Sequence, residues 1–136
     1  MTSTVRQMLD AHPGDLRGLD VEQLAACLEA CAECAQVCAL CADACLAEEV
    51  VIDLRHCIRT DLECADVCAA TARVLTRREA HESGVLRALL EACATACRSC
   101  GDECAQHADM HDHCRICSEA CRRCEQACRD LLGSLP

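Results

Sequence analysis

Eighteen of the 136 residues are cysteine, and they recur at alternating spacings of four and three. Cys27, Cys31, Cys34, Cys38, Cys41 and Cys45 make the first run. Side chains three and four positions apart share one face of an α-helix. The rhythm is therefore the inward seam of a heptad, a seam ordinarily filled with Leu and Ile. Here the residues that should form a hydrophobic core are thiols.

The pattern returns three times. Cys57, Cys64 and Cys68 keep it, with Asp61 in the skipped position. Cys93, Cys97, Cys100 and Cys104 follow, and His107 and His111 extend their register. Cys114, Cys117, Cys121, Cys124 and Cys128 complete the set, so no cysteine lies outside a seam. A disulfide scaffold joins separate loops, whereas thiols aligned along helix faces predict a core that holds soft metal ions.

A chain of this length reads as residues 1–19, a short helix and linker, followed by one bundle over 20–132. Residues 3–12 are amphipathic and end at Pro13-Gly14. Asp20 with Gln23 forms a capping-box pattern that opens a first long helix over 20–47. At 1.5 Å per residue that helix is about 40 Å long. The heptad phase misses Cys57, which predicts a tight turn near 48–50 and a second helix over 50–77. Leu54, Thr71 and Leu75 join its cysteines on the inward face, and Arg77-Arg78 suit the negative pole at its end.

A loop near 78–83 leads to a third helix over 84–109, with Gly101 inside it at some cost in helix stability. The slip from His111 to Cys114 to Cys117 predicts a turn at 110–112. Asp112 would then be the N-cap of a fourth helix ending before Gly133. The expected fold is all-α: an up-down-up-down antiparallel four-helix bundle with a short N-terminal helix.

The chain has no Phe, Tyr or Trp, which fits an interior that leaves room for something else. A net charge of −10 argues against nucleic acid, for which a basic patch is expected. The first residues show no apolar signal core, and no run approaches 18 uninterrupted apolar residues. Neither a membrane nor nucleic acid is expected as a partner, and the cytosol, where thiols stay reduced, is the expected compartment.

The runs CLEACAECAQVCALCADAC, CIRTDLECADVC, CATACRSCGDEC and CRICSEACRRCEQAC resemble those of the bacterial copper storage proteins, over residues from about 20 to 132. The resemblance implies a cysteine-lined four-helix bundle that sequesters many Cu(I) ions. It also implies membership of the family's cytosolic branch and a homotetramer of bundles.

The chemistry reaches Cu(I) independently. Thiolates select soft ions, and Cu(I) is held by few of them. One Cu(I) per thiolate leaves a core near neutrality, and burying unbalanced charge costs several kcal/mol per ion. Zinc prefers separate tetrahedral sites, and the usual iron–sulfur spacing is absent. A zinc or mixed soft-metal buffer and a thiol redox sensor are the alternatives. A sensor needs only one or two accessible, low-pKa cysteines. No nucleophile–base pair or cofactor loop marks an enzyme.

Two turns of such a bundle share one end, which gathers His107, Met110, His111 and His113, with His56 nearby. Leu24, Leu75, Leu86 and Leu131 close the other end. Imidazole and thioether both suit Cu(I), so ions are expected to pass the histidine end. The candidate ligands are the eighteen cysteines with Asp61, His107, His111 and His113. His12 and His81 lie outside the seams. A copper chaperone or a low-molecular-weight thiol is the expected donor.

Overall fold

Asp20 starts the first long helix. Its carboxylate accepts from the backbone N–H groups of Glu22 and Gln23 at 2.7 and 3.1 Å, satisfying donors that a helix start leaves free. The reciprocal half of the capping box is missing, because the buried Gln23 Oε1 has no hydrogen-bond partner. A computed structural model describes residues 3–77 and 84–136 of the chain. Within them lie α1 (Thr4–Ala11), α2 (Val21–Leu46), a 3-10 turn (Val51–Leu54), α3 (Arg55–Leu75), α4 (Gly84–His107) and α5 (Asp112–Ser134). The expected loop near 78–83, with Arg78 and His81, falls outside the described residues.

All elements among the described residues are helical, as the seams predict. The second long helix opens as a 3-10 turn rather than an α-helix, since i→i+3 bonding tightens a chain reversing direction after Ala47. That turn tucks Leu54 under the bundle, where it is buried. Two expectations at the last helix are corrected. His111, with φ −134° and ψ 111°, occupies the N-cap position and makes no side-chain cap. Asp112 lies inside the first turn, where its carboxylate is taken by Arg115 at 2.7 Å and still favours the positive helix pole. The helix also runs through Gly133 to Ser134, because Gly133 keeps a negative φ and does not make the left-handed stop.

Among the described elements α1 packs on α2, and Arg6 reaches Glu22 at 3.7 Å. Between them the chain reverses through Arg17 and Gly18, at φ 52° and 90°; Gly18 supplies the left-handed backbone without a Cβ penalty. The four long helices form a ring in which α2 and α4 each pack against α3 and α5. Glu48 approaches His113 at one end, and the Arg87 guanidinium donates to the Pro136 carbonyl at the other. The helices are therefore antiparallel to their neighbours.

α4 and α5 approach closely at Gly101, which is buried; its carbonyl accepts the Ser118 hydroxyl at 2.9 Å. The guanidinium of Arg122 lies across the face where a Cβ would stand. At the end away from the histidines, Leu24, Leu75, Leu86, Leu90 and Leu131 are buried and fill the section that the cysteine seams leave. The helix Val21–Leu46 is long enough to cross a membrane, and its most apolar 18-residue stretch has a mean hydropathy of 1.6. More than half of that apolarity comes from Cys and Ala, and its six cysteines are all buried inside the bundle.

Candidate metal centre

All eighteen cysteines are buried and free. The heptad seam does this: each run places its thiols along one stripe of its helix, and the ring turns all four stripes to a common axis. Neighbours along a helix meet, as Cys34 and Cys38 do at 3.7 Å. Adjacent helices meet too, with Cys57–Cys104 and Cys68–Cys97 both at 3.6 Å. Even opposite helices touch, at 4.0 Å for Cys38–Cys100 and for Cys68–Cys124. The result is a continuous column of sulfur.

Within the column, sets of four thiols lie within 4.8 Å of one another. Cys34 belongs both to a set with Cys68, Cys97 and Cys124 and to another with Cys38, Cys64 and Cys121. Cys38 and Cys121 recur in a third with Cys100 and Cys117, and Cys124 in a fourth with Cys31, Cys93 and Cys128. Four-coordinate zinc sites need private ligands. Overlapping sets instead suit ions that share bridging thiolates.

The thiols hold protons unevenly. Hydrogen bonding to Cys100 and Cys117, with burial adding, pushes the Cys38 thiol up. Cys93 is held low because its thiolate would accept from Cys124 and Cys128, against the effect of burial. Near the histidine end, burial and then the charge of Cys41 push Cys45 up to about 11. A thiolate formed at one position is thus stabilised by S–H donors beside it, which is what replacement of a proton by a metal ion needs.

Asp61 is fully buried among these thiols. Cys100, Cys117 and Cys104 donate to its Oδ1 at 3.0, 3.2 and 3.4 Å. Burial first, and then the charges of Cys100 and Cys117, push its carboxyl up to about 12. Burial thus favours the protonated carboxyl, and among the described residues no Arg is a hydrogen-bond partner of Asp61.

The histidine end differs from the register-based expectation. His107 and His111, which keep the cysteine spacing, each face a carboxylate: Nε2 of His107 meets Glu103 at 2.9 Å, and Nδ1 of His111 meets Glu48. His113, one step off the seam, is the histidine whose Nδ1 lies against thiols, 3.4 Å from Cys41, 3.6 Å from Cys114 and 4.0 Å from Cys45. The change from turn to helix at His111 rotates it inward. Burial opposes charge on His113, but hydrogen bonds to Cys41 and Glu48 outweigh it and raise its pKa. His56 is three-quarters exposed and 3.8 Å from Glu103, and Met110 is exposed.

Glu48 and Glu103 lie outside the candidate ligands that the seams mark. Their signals were present: Glu48 continues the α2 seam three residues after Cys45, and Glu103 precedes His107 by four.

Eighteen buried free thiols on the axis of an all-helical bundle define a cysteine-lined metal-binding protein. The profile of the family Csp, copper storage protein, matches residues 20–133, and the chain belongs to that family. It is 59% identical to Ccsp, the copper storage protein of Streptomyces lividans, in a structure loaded with 10 copper equivalents. That likeness covers 97% of this chain and all of the other, with a TM-score of 0.94. A cytosolic copper storage protein from Streptomyces lividans, holding five coppers, is 60% identical over 85% of this chain and 96% of its own, with a TM-score of 0.78. The Cu(I)-bound copper storage protein BsCsp3 is 39% identical over 79% of this chain and 95% of its own, with a TM-score of 0.70.

Proposed function

We propose that this chain stores Cu(I) in the cytosol, binding many ions through the thiolates that line its bundle and so limiting free copper. The observation that carries the reading is the unbroken column of eighteen buried, reduced cysteines whose four-thiol sets overlap. Membership of the copper storage family and the copper-loaded relatives support it. The compartment follows the cytosolic Streptomyces lividans relative.

Each Cu(I) that enters displaces up to one thiol proton, so the interior keeps its charge as it fills. This exchange avoids burying net charge at every stage of loading. The eighteen cysteines are the ligands of the column, and His113 caps it beside Cys41, Cys45 and Cys114. His107 and His111 receive ions at the same end, and Asp61 keeps its proton and bonds the surrounding sulfurs. A low-molecular-weight thiol or a copper chaperone delivers the metal. The work is storage rather than catalysis.

The folding unit is the bundle of residues 20–132, with the N-terminal helix and linker of residues 1–19 attached to its side. Bundles associate as a homotetramer, a role for which the exposed Leu40, Ile52 and Leu62 are available.

Anaerobic Cu(I) titration of the fully reduced protein tests the reading. With one to two thiolates per ion, the expected capacity is about 9 to 18 ions per chain, slightly more where histidines add sites. Saturation at only four or five ions would mark isolated four-thiol sites and sink the storage reading.

A further inference from the structure

Two histidines and one carboxylate at the open end of the bundle form an arrangement whose parts constrain one another. The Oε2 atom of Glu48 faces Nδ1 of His111 and, at 3.4 Å, Nε2 of His113. The two imidazole rings stack with centroids 5.5 Å apart and planes 26° from parallel. An ionised carboxylate only accepts hydrogen bonds, and a neutral imidazole carries one proton. In each neutral ring the proton therefore lies on the nitrogen that faces Glu48, which leaves a lone pair on the far nitrogen.

One far nitrogen lies against thiols and the other is buried without a partner. Nδ1 of His113 is 3.4 Å from the Cys41 sulfur and 3.6 Å from that of Cys114. Nε2 of His111 is buried without a hydrogen-bond partner. A buried acceptor left in that condition destabilises the fold, and a metal ion satisfies a bare imidazole nitrogen directly. Metal-ligating histidines commonly donate their second N–H to a carboxylate that fixes tautomer and ring orientation. Here one carboxylate serves two rings.

We propose that Glu48 is a positioning residue that fixes opposite tautomers on His111 and His113, so that Nε2 of the first and Nδ1 of the second are open to Cu(I). The inference rests on the storage reading and adds to it the group that prepares the histidines. Glu48 lies in the α2–α3 turn, about one-third exposed, so Glu48→Gln keeps its size without disturbing the core.

The test uses the full-length, reduced, metal-free chain with ¹⁵N-labelled histidine. Long-range ¹H–¹⁵N correlation distinguishes protonated from bare ring nitrogens, and competition with a chromogenic Cu(I) chelator reads the affinity for the first ions. The parent protein should show His111 protonated at Nδ1 and His113 at Nε2. Because an amide can both donate and accept, Glu48→Gln should mix the tautomers. It should also weaken the first-bound Cu(I) about tenfold or more, while total capacity is retained. Glu49→Gln, at the exposed neighbouring position, should change neither readout.

Unchanged tautomers in Glu48→Gln, or changed tautomers with unchanged first-ion affinity, would overturn the assignment and leave the storage reading standing. A parent chain that saturates at four or five ions would overturn the storage reading and this inference with it.

Discussion

At the scale of single residues, Asp61 has the strongest consequence for stability. Its carboxyl is raised from an ordinary 3.8 to about 12 by burial and by the sulfurs around it. The folded metal-free protein thus holds a proton that the unfolded chain releases. That contribution is complete below about pH 4 and is lost as pH rises toward 12, so stability falls across the neutral range. One retained proton corresponds to a slope of up to about 1.4 kcal/mol per pH unit. Asp61→Asn has no proton to retain, so denaturant unfolding of the metal-free, reduced variant between pH 5 and 7.5 should show that slope removed. An unchanged pH dependence would mean that Asp61 is ionised in the folded protein.

Gly101 yields a second expectation at this scale. The group facing its missing Cβ is the end of the Arg122 side chain, 3.0 Å away, which is held by Asp102 but partly exposed. A flexible guanidinium can shift, whereas a packed backbone could not. Gly101→Ala should therefore gain the helix propensity of alanine, about 0.5–1 kcal/mol, in urea unfolding. A loss of stability would show that the contact between α4 and α5 requires glycine.

Among the elements, the two ends of the bundle behave differently because they are built differently. At one end the connections from α2 to α3 and from α4 to α5 carry Glu48, His111 and His113, with Glu103 and His107 on the last turns of α4. At the other, buried leucines from all four long helices close the core. Replacing His107 and His111 with leucine should slow Cu(I) uptake, or its removal by a chelator, while capacity falls by no more than a few ions. Stopped-flow absorbance in the ultraviolet thiolate–copper band checks this; rates equal to the parent's would place the route elsewhere. Leu90→Ala at the closed end should cost about 2–5 kcal/mol in the metal-free protein. Its copper capacity should stay unchanged, since no thiol is lost.

For the molecule as a whole, the storage reading implies a core close to neutral before and after loading. Protonated thiols pack as small hydrophobes, so the metal-free chain should already be strongly helical, and copper should change its far-ultraviolet circular dichroism little. A metal-free chain that is largely unstructured would count against a preformed bundle. The same neutrality predicts close to one proton released per Cu(I) bound while free thiols remain, measurable with a pH indicator in weak buffer. Release well below that would mean that the column already holds thiolates before metal arrives.

The seams by themselves determined the helices, their inward faces and the sulfur core, because spacings of three and four translate directly into one face of a helix. They also located the turns before α3 and α5, since a break in register is visible where the seam slips. The ends of elements were less legible: whether Gly133 stops α5 depends on a backbone angle, and whether Asp112 caps it depends on the competing Arg115.

The histidines show the limit most clearly. Register favoured His107 and His111 as partners of the thiols, yet His113 is the ring set against Cys41 and Cys114. That outcome turns on how the chain rotates between α4 and α5, which a periodic pattern cannot encode across a turn. Glu48 reaches His113 from 65 residues away. Only the packing of α2 beside α5 brings the two together, because the distance between side chains on different helices is set by tertiary contact and not by spacing along the chain.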